Sequence, residues 1–207
     1  AVLLALLMPV GAAALERARA TQCANNMRNI GLAVATYAGL NRGWLPSSSC
    51  PTKPGDVEHW WLMTLQEYGS SDLLYCCPSD ESDSFVDWDN PPTEKLDRYR
   101  WASYSTNGRM DKKPFNNIEA IKNPAETIYL CETPEGIVGA DHVHPEMWVV
   151  EAEVRTQVAW DRHGGHPNFL FADWHVESMT LEETWAKDKV NLWNPRKAPA
   201  WSTIRDY

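Results

Sequence analysis

AVLLALLMPVGAAALERARATQCANNMRNIGLAVATYAGL, residues 1–40, decides how this chain is organised. Its first fifteen residues are all apolar, glycine or proline, and charge arrives only with Glu16, Arg17 and Arg19. Beyond them Cys23, Met27, Ile30, Val34 and Tyr37 recur at i, i+4, i+7, i+11 and i+14. That spacing puts all five on one stripe of a 3.6-residue helix. Asn41, Gly43 and Pro46 then supply a stop, with glycine suited to the left-handed cap and proline unable to continue the helix. The stretch reads as an N-terminal helical region over 1–43, apolar over 1–15 and amphipathic over 16–40. Pro9 and Gly11 mark a weak point, since proline removes a backbone donor and crowds the preceding turn. A helix apolar all round at one end and one-sided at the other calls for two environments: lipid or neighbouring helices, then a domain core. The apolar run alone falls short of the roughly 20 residues that span a bilayer.

Residues 44–207 read as a globular head. VEHWWLMTLQEYG (57–69) predicts a short helix, WASYSTNG (101–108) a strand running into a turn, and NIEAIKNP (117–124) a single helical turn. ETIYLCE (126–132) reads as a buried strand, and MWVVEAEVRTQVAW (147–160) as a strand or hairpin arm of period two. PNFLFAD (167–173) and WHVESM (174–179) predict a hairpin, with Phe169 and Phe171 on one face and Leu170 and Ala172 on the other. Thr180 followed by Glu183 fits a capping box opening a helical segment. The fold class is therefore α+β: a long N-terminal helix packed on a head with a mainly antiparallel sheet.

Composition narrows the function. With 207 residues, 43% hydrophobic and 23% charged, the chain has enough apolar material for a core. A net charge of −9 excludes the basic stripe that a nucleic-acid surface needs. Eleven tryptophans are a heavy load, mostly core by expectation, with some available as contact surface. Five cysteines form no CxxC pair, which argues against a zinc ribbon or a thioredoxin-type motif. Cys131, inside a buried strand, is the expected free thiol. Cys23 with Cys77, and Cys50 with Cys76, are the possible disulfides, the first joining the helix to the head.

Two stretches carry candidate chemistry. RHGGHPNFLFADWHVE (162–177) gathers His163, His166, Asp173 and His175, a donor set that suits zinc with a position left for water. Asp141, His142 and His144 offer a second cluster nearby in type. The other reading is a structural hairpin, in which Asp173 accepts turn N–H groups and His163 fixes the loop. The acidic loop DESDSFVDWDN (80–90) places Asp80, Asp83, Asp87 and Asp89 where calcium could take their oxygens, or where they serve as a solvated face. No HExxH, G-x-S-x-G or phosphate-binding loop appears, so no catalytic residue is assigned and no enzyme is expected. A metal-dependent hydrolase built on the histidines remains the enzymatic alternative. A glycan-binding head using Trp60, Trp88 and Trp174 is the binding alternative.

Taken in order, these segments resemble the type IV pilin and pseudopilin superfamily, and within it the bacterial group with a prepilin-type N-terminus and an H-x9-DG motif. The resemblance is carried by Cys23, Asn25, Asn26, Ile30-Gly31-Leu32, Tyr37 and Leu45-Pro46 in the helix region. It continues through Cys77-Pro78-Ser79-Asp80, Ser103-Tyr104 with Asn107, and Asn123-Pro124-Ala125-Glu126-Thr127. It ends with His163 and Asp173 nine residues apart. The leader, its cleavage site and the early glutamate of such proteins are not in this sequence, so roughly ten to fifteen preceding residues are expected to complete a span. The family's Asp-Gly is Asp173-Trp174 here, and tryptophan in a left-handed turn costs about 1–2 kcal/mol, so a compensating contact is expected.

The resemblance implies a structural subunit of a helical filament, like a type IV pilus or a type II secretion pseudopilus with its major pseudopilin. Its partners would be further copies of itself and the inner-membrane assembly machinery. Its location would be the bacterial inner membrane before assembly and a periplasmic or extracellular filament afterwards. Leu3, Leu4, Leu6, Leu7, Met8, Pro9, Val10 and Leu15 would pack the filament core. No cofactor is needed for that role, with calcium or zinc the ions the acidic loop or the histidines would take.

Overall fold

The computed structural model describes residues 2–48, 60–69, 75–88, 92 and 96–196, with side chains from Gly11 onward except that of Asp97. One helix, α1 (Val2–Leu40), runs unbroken for 39 residues, about 58 Å at 1.5 Å per residue. Its buried face comprises Cys23, Ala24, Met27, Ile30, Ala33, Val34 and Ala38, the stripe that the 3.6-residue period requires. Gly11 to Leu15 are all exposed, so α1 docks through its C-terminal half and projects through the other. Among the described residues no helix is long and apolar enough to cross a membrane. The α1 cap uses two left-handed residues, Arg42 (φ 56°) and Gly43 (φ 80°). Gly43 N–H closes a 2.8 Å bond on Ala38 O, the Schellman arrangement.

The head is built on a five-stranded sheet of order β3-β1-β2-β4-β5. Its strands are β1 (Tyr104–Asn107), β2 (Ile128–Glu132), β3 (His142–Val143), β4 (Asn168–Phe171) and β5 (Val176–Ser178). Only the β1–β3 pair is parallel. The central strands β1, β2 and β4 are buried throughout, because both sheet faces are covered. On one face α1 and α2 (Trp61–Gln66) pack with Leu130, Leu170 and Ala172; on the other Phe169, Phe171, Trp148, Trp193 and Val154 form a second core. The alternation expected of PNFLFAD is present. A two-stranded ribbon, β6 (Trp185–Ala186) with β7 (Val190–Asn191), follows a short helix at Leu181–Thr184. Thr180 N–H donates to Glu183 at 2.7 Å there, as the capping signal implies.

One element differs from expectation. MWVVEAEVRTQVAW forms no strand; it contains the helix α3 (Glu151–Arg155). Val150, Val154 and Val158 stand at i, i+4 and i+8, a helical period obscured by the period of two over Val150, Ala152 and Val154, and Glu153 captures the Val150 N–H at 3.1 Å.

Gly31 sets how closely α1 approaches the sheet. A Cβ there would lie 2.9 Å from Leu170 Cδ1 and 3.3 Å from Trp174 Cβ. Gly31→Val is therefore expected to lose about 1–3 kcal/mol in urea unfolding through overpacking of this seam.

Asp111 gives a pH test. Burial pushes its carboxyl up to about 6, over the opposing hydrogen bonds from Ser48. An acid raised in the folded state binds more protons folded than unfolded, so its contribution to stability falls as pH rises from about 4 through 6. Asp111→Asn is expected to gain stability relative to the parent at pH 7 and not at pH 4, read by parallel denaturant titrations.

Candidate functional site

The residues with the most chemistry meet where α1 crosses the ends of β2 and β4. α1 supplies Glu16, Cys23 and Asn26; the turn after Tyr75 supplies Cys77 and Ser79; β2 ends in Glu132; the turn before β4 supplies Arg162 and His163. Cys23 and Glu132 are fully buried, Cys77 is 2% exposed, and the His163 side chain is 2% exposed. The donor atoms of Cys23, Cys77, Glu132 and His163 all lie within 4.8 Å of one another. Among the described residues this is the one group of three or more His, Cys, Asp or Glu side chains that converges so.

His163 is fixed from both ring nitrogens. Nδ1 is 2.9 Å from Glu16 Oε1 and Nε2 is 3.0 Å from Glu132 Oε1 and 3.5 Å from Cys77 Sγ. It takes a left-handed backbone (φ 56°), as does Gly164 after it (φ 73°), which turns the ring inward. Cys23 Sγ–H donates to Glu132 Oε1, and its sulfur lies 3.4 Å from Tyr104 Oη. Ser79 N–H donates to Cys77 Sγ at 3.4 Å. Around this set, Asn26 reaches Tyr104 Oη at 3.4 Å, and Asn168 reaches Glu132 Oε1 at 3.5 Å.

The environment sorts the thiols. The side-chain contact with Cys23, helped by His163, brings the Cys77 thiol down to about 6 despite its burial. Burial pushes Cys23 far up. Burial would pull His163 down, but its contacts with Cys77 and Glu132 outweigh it and hold the imidazole up at about 10. The outer edge of the site opens into a cleft of about 520 Å³ lined by Glu16, Ser79, Glu135, Trp160 and His163.

Beside it lies a buried charge lattice. Arg100, 1% exposed, pairs with Asp80, which accepts from Arg100 Nε at 2.9 Å and from Ser103 Oγ at 2.7 Å. Arg100 also donates to the carbonyls of Pro134 at 2.7 Å and Thr133 at 2.8 Å. Arg162 stands 3.4 Å from Asp80 and 4.0 Å from Glu132, linking the two clusters.

The sequence-derived donor sets are taken apart by the fold. Of His163, His166, Asp173 and His175, only His163 enters the buried cluster. His166 is exposed and lies 3.3 Å from its own loop's Gly164 O, while His175 pairs with Asp173 at 2.5 Å and stacks on Phe171. Asp173 also accepts the His175 N–H at 3.2 Å, the hairpin role. The acidic loop does not converge either: Asp80 is buried on arginines, Asp83 and Asp87 are exposed, and Asp89 lies outside the described residues. Asp141 and His142 bind each other at 2.7 Å, with His144 stacked edge-on. Trp174 is left-handed (φ 76°) and held by the head's own surface, against Tyr129 and the α1 backbone at Gly31. Trp60, expected at an exposed binding face, is fully buried; Trp88 packs on it at 4.9 Å.

Cys23 and Cys77 stand side by side as free thiols, as does Cys131 in its strand; Cys76 is free, and Cys50 lies outside the described residues. The side chains of Leu3, Leu4, Leu6, Leu7, Met8, Pro9 and Val10 lie outside the described residues too, and Leu15 is 53% exposed. Glu16, Glu132 and Arg162 were not singled out by sequence reading. Glu132 sits at the end of an apolar strand, where a charge is out of place, and that is the signal that points to it.

The profile of a family described as "Protein of unknown function (DUF1559)" matches residues 12–73, which cover α1 from its exposed part onward, and α2. No curated protein matches the chain, and no solved structure does.

Removing Asp80 takes the paired carboxylate from buried Arg100 and one of the carboxylates beside Arg162. Asp80→Ala is expected to cost about 3–5 kcal/mol in chemical denaturation, with a double-mutant cycle against Arg100→Met returning a large coupling.

Proposed function

We propose that this chain is a structural subunit of a helical filament of the pilin or pseudopilin kind, assembled through α1. The observation that carries this reading is the division of α1. Its C-terminal half is buried in the head, and Gly11 to Leu15 project as an exposed apolar run that the head leaves uncovered. Further apolar surface stands out on the same helix at Leu32 and Leu40. Packing such helices side by side removes their surface from water at about 25 cal/mol per Å². A contact between two different faces of identical subunits repeats without closing and yields an open polymer.

The resemblance of the helix region to pilins supports the same reading. In this role the partners are other copies of the chain and a membrane-bound assembly apparatus. The subunit waits in the bacterial inner membrane and ends in a periplasmic or surface filament. The head supplies the outer surface, and its net negative charge keeps assembled heads soluble.

Leu4→Asp or Leu15→Asp in the full chain, expressed in its own cells, is expected to abolish filaments seen by electron microscopy. The unfolding midpoint of the head is expected to stay unchanged. Normal filaments from both variants overturn the reading.

A further inference from the structure

We propose that Cys23, Cys77, Glu132 and His163 bind one zinc ion, a closed structural site that staples α1 to the head. The four donors come from four separate parts of the chain and meet at one buried point. They form a ring of direct contacts: Cys23 with Glu132, Glu132 with His163 at 3.0 Å, His163 with Cys77 at 3.5 Å, and Cys77 with Cys23. With Zn–S about 2.3 Å, Zn–N about 2.0–2.1 Å and Zn–O about 2.0–2.2 Å, the edges of a tetrahedral site measure about 3.4–3.8 Å. The Glu132–His163 and His163–Cys77 edges are within a few tenths of an ångström of that length, and the Cys23–Glu132 edge opens further as zinc replaces the thiol proton.

The donor types select the metal. Two thiolates, an imidazole and a carboxylate suit zinc and disfavour calcium or magnesium, which take oxygen. Four protein donors leave no position for water, so the site is structural rather than hydrolytic.

Surrounding groups meet what such a site needs. His163 Nδ1–H donates to Glu16 at 2.9 Å, so the proton that zinc displaces on binding is the one at Nε2. Ser79 N–H donates to Cys77 Sγ, and Tyr104 Oη lies against Cys23 Sγ. Two thiolates and a carboxylate exceed the zinc charge by one, and the Arg162 guanidinium stands 4.0 Å from Glu132 Oε2. That oxygen is buried with no hydrogen-bond partner among the described residues. The open cleft along Glu16, Ser79 and His163 gives the ion a way in.

Binding at this point ties α1 within two turns of its exposed segment, so it holds the projecting helix at a set angle to the head. The inference does not depend on filament formation, because it is read on the dispersed chain.

The test uses the untagged full chain purified without chelator. Elemental analysis is expected to find one zinc per chain, and cobalt substitution is expected to give the intense visible bands of a tetrahedral thiolate site. Cys77→Ser and His163→Ala are expected to abolish stoichiometric zinc, while Cys131→Ser and His175→Ala, outside the ring, keep it. Glu16→Gln is expected to weaken zinc by about 10–100-fold in competition with a chromophoric chelator, with stoichiometry retained. Where a ligand variant fails to fold, the cobalt spectrum of the unmodified chain decides. A chain without metal that binds no added zinc or cobalt, or one whose mass spectrum shows a Cys23–Cys77 disulfide, overturns the proposal. So does zinc that survives both ligand substitutions.

Discussion

The structure depends on one seam, the docking of the C-terminal half of α1 onto the sheet. Cys23, Met27, Ile30 and Val34 have no exposed surface there, and each would be stranded in water on an isolated helix. Gly31 lets the helix axis come down onto Leu170, and the same closeness seats Trp174. The hairpin turn can therefore hold a tryptophan at positive φ: the strain of about 1–2 kcal/mol is offset by burial of part of the indole against Tyr129 and the helix. The helix draws its stability from such packing rather than from propensity.

At the upper end of the seam, packing gives way to charge. Asp80 and Glu132 have fully buried side chains, as Arg100 and Arg162 very nearly do, and none of them is tolerable alone in an apolar interior. Their mutual placement fixes the turn at Cys77–Asp80, the Pro134 loop and the segment before β4, because Arg100 donates to Asp80 and to the Pro134, Ile137 and Thr133 carbonyls, and Arg162 Nη2 donates to Thr133 O. Such a lattice adds little net stability over an apolar core, yet it penalises any other arrangement of the same loops. It also takes up the first aspartate of the acidic loop, which is held by two arginines.

The helix and the site bear on the same problem. On the proposed filament reading the helix has to be presented rigidly, since each copy repeats any error in angle. The polar knot at Glu16, Cys23, Glu132 and His163 lies where α1 leaves the head, beside the projecting segment. Stiffness there matters more than anywhere else along the helix.

Much of this was legible in the sequence. The helix over Val2–Leu40, its buried stripe, the strands at Tyr104, Ile128 and Asn168, the facing of Phe169 against Leu170, and the Thr180–Glu183 cap follow from periodicity and local hydrogen bonding. These act over a few residues, so a sequence displays them. The helix at Glu151–Arg155 was misread because its short valine period overlaps an alternation of two. The donor set was legible only in pieces: Cys23 was paired with Cys77 and His163 named as a ligand, but nothing joined the two or pointed to Glu132 as their partner. His163 stands near histidines in sequence, yet its partners lie 147, 86 and 31 residues away, at Glu16, Cys77 and Glu132. The nearby His166 and His175 are carried outward by the loop and the hairpin. Local spacing fixes which face a residue occupies; only the packing of α1 across the strand ends decides which faces meet, and so which side chains share one buried point.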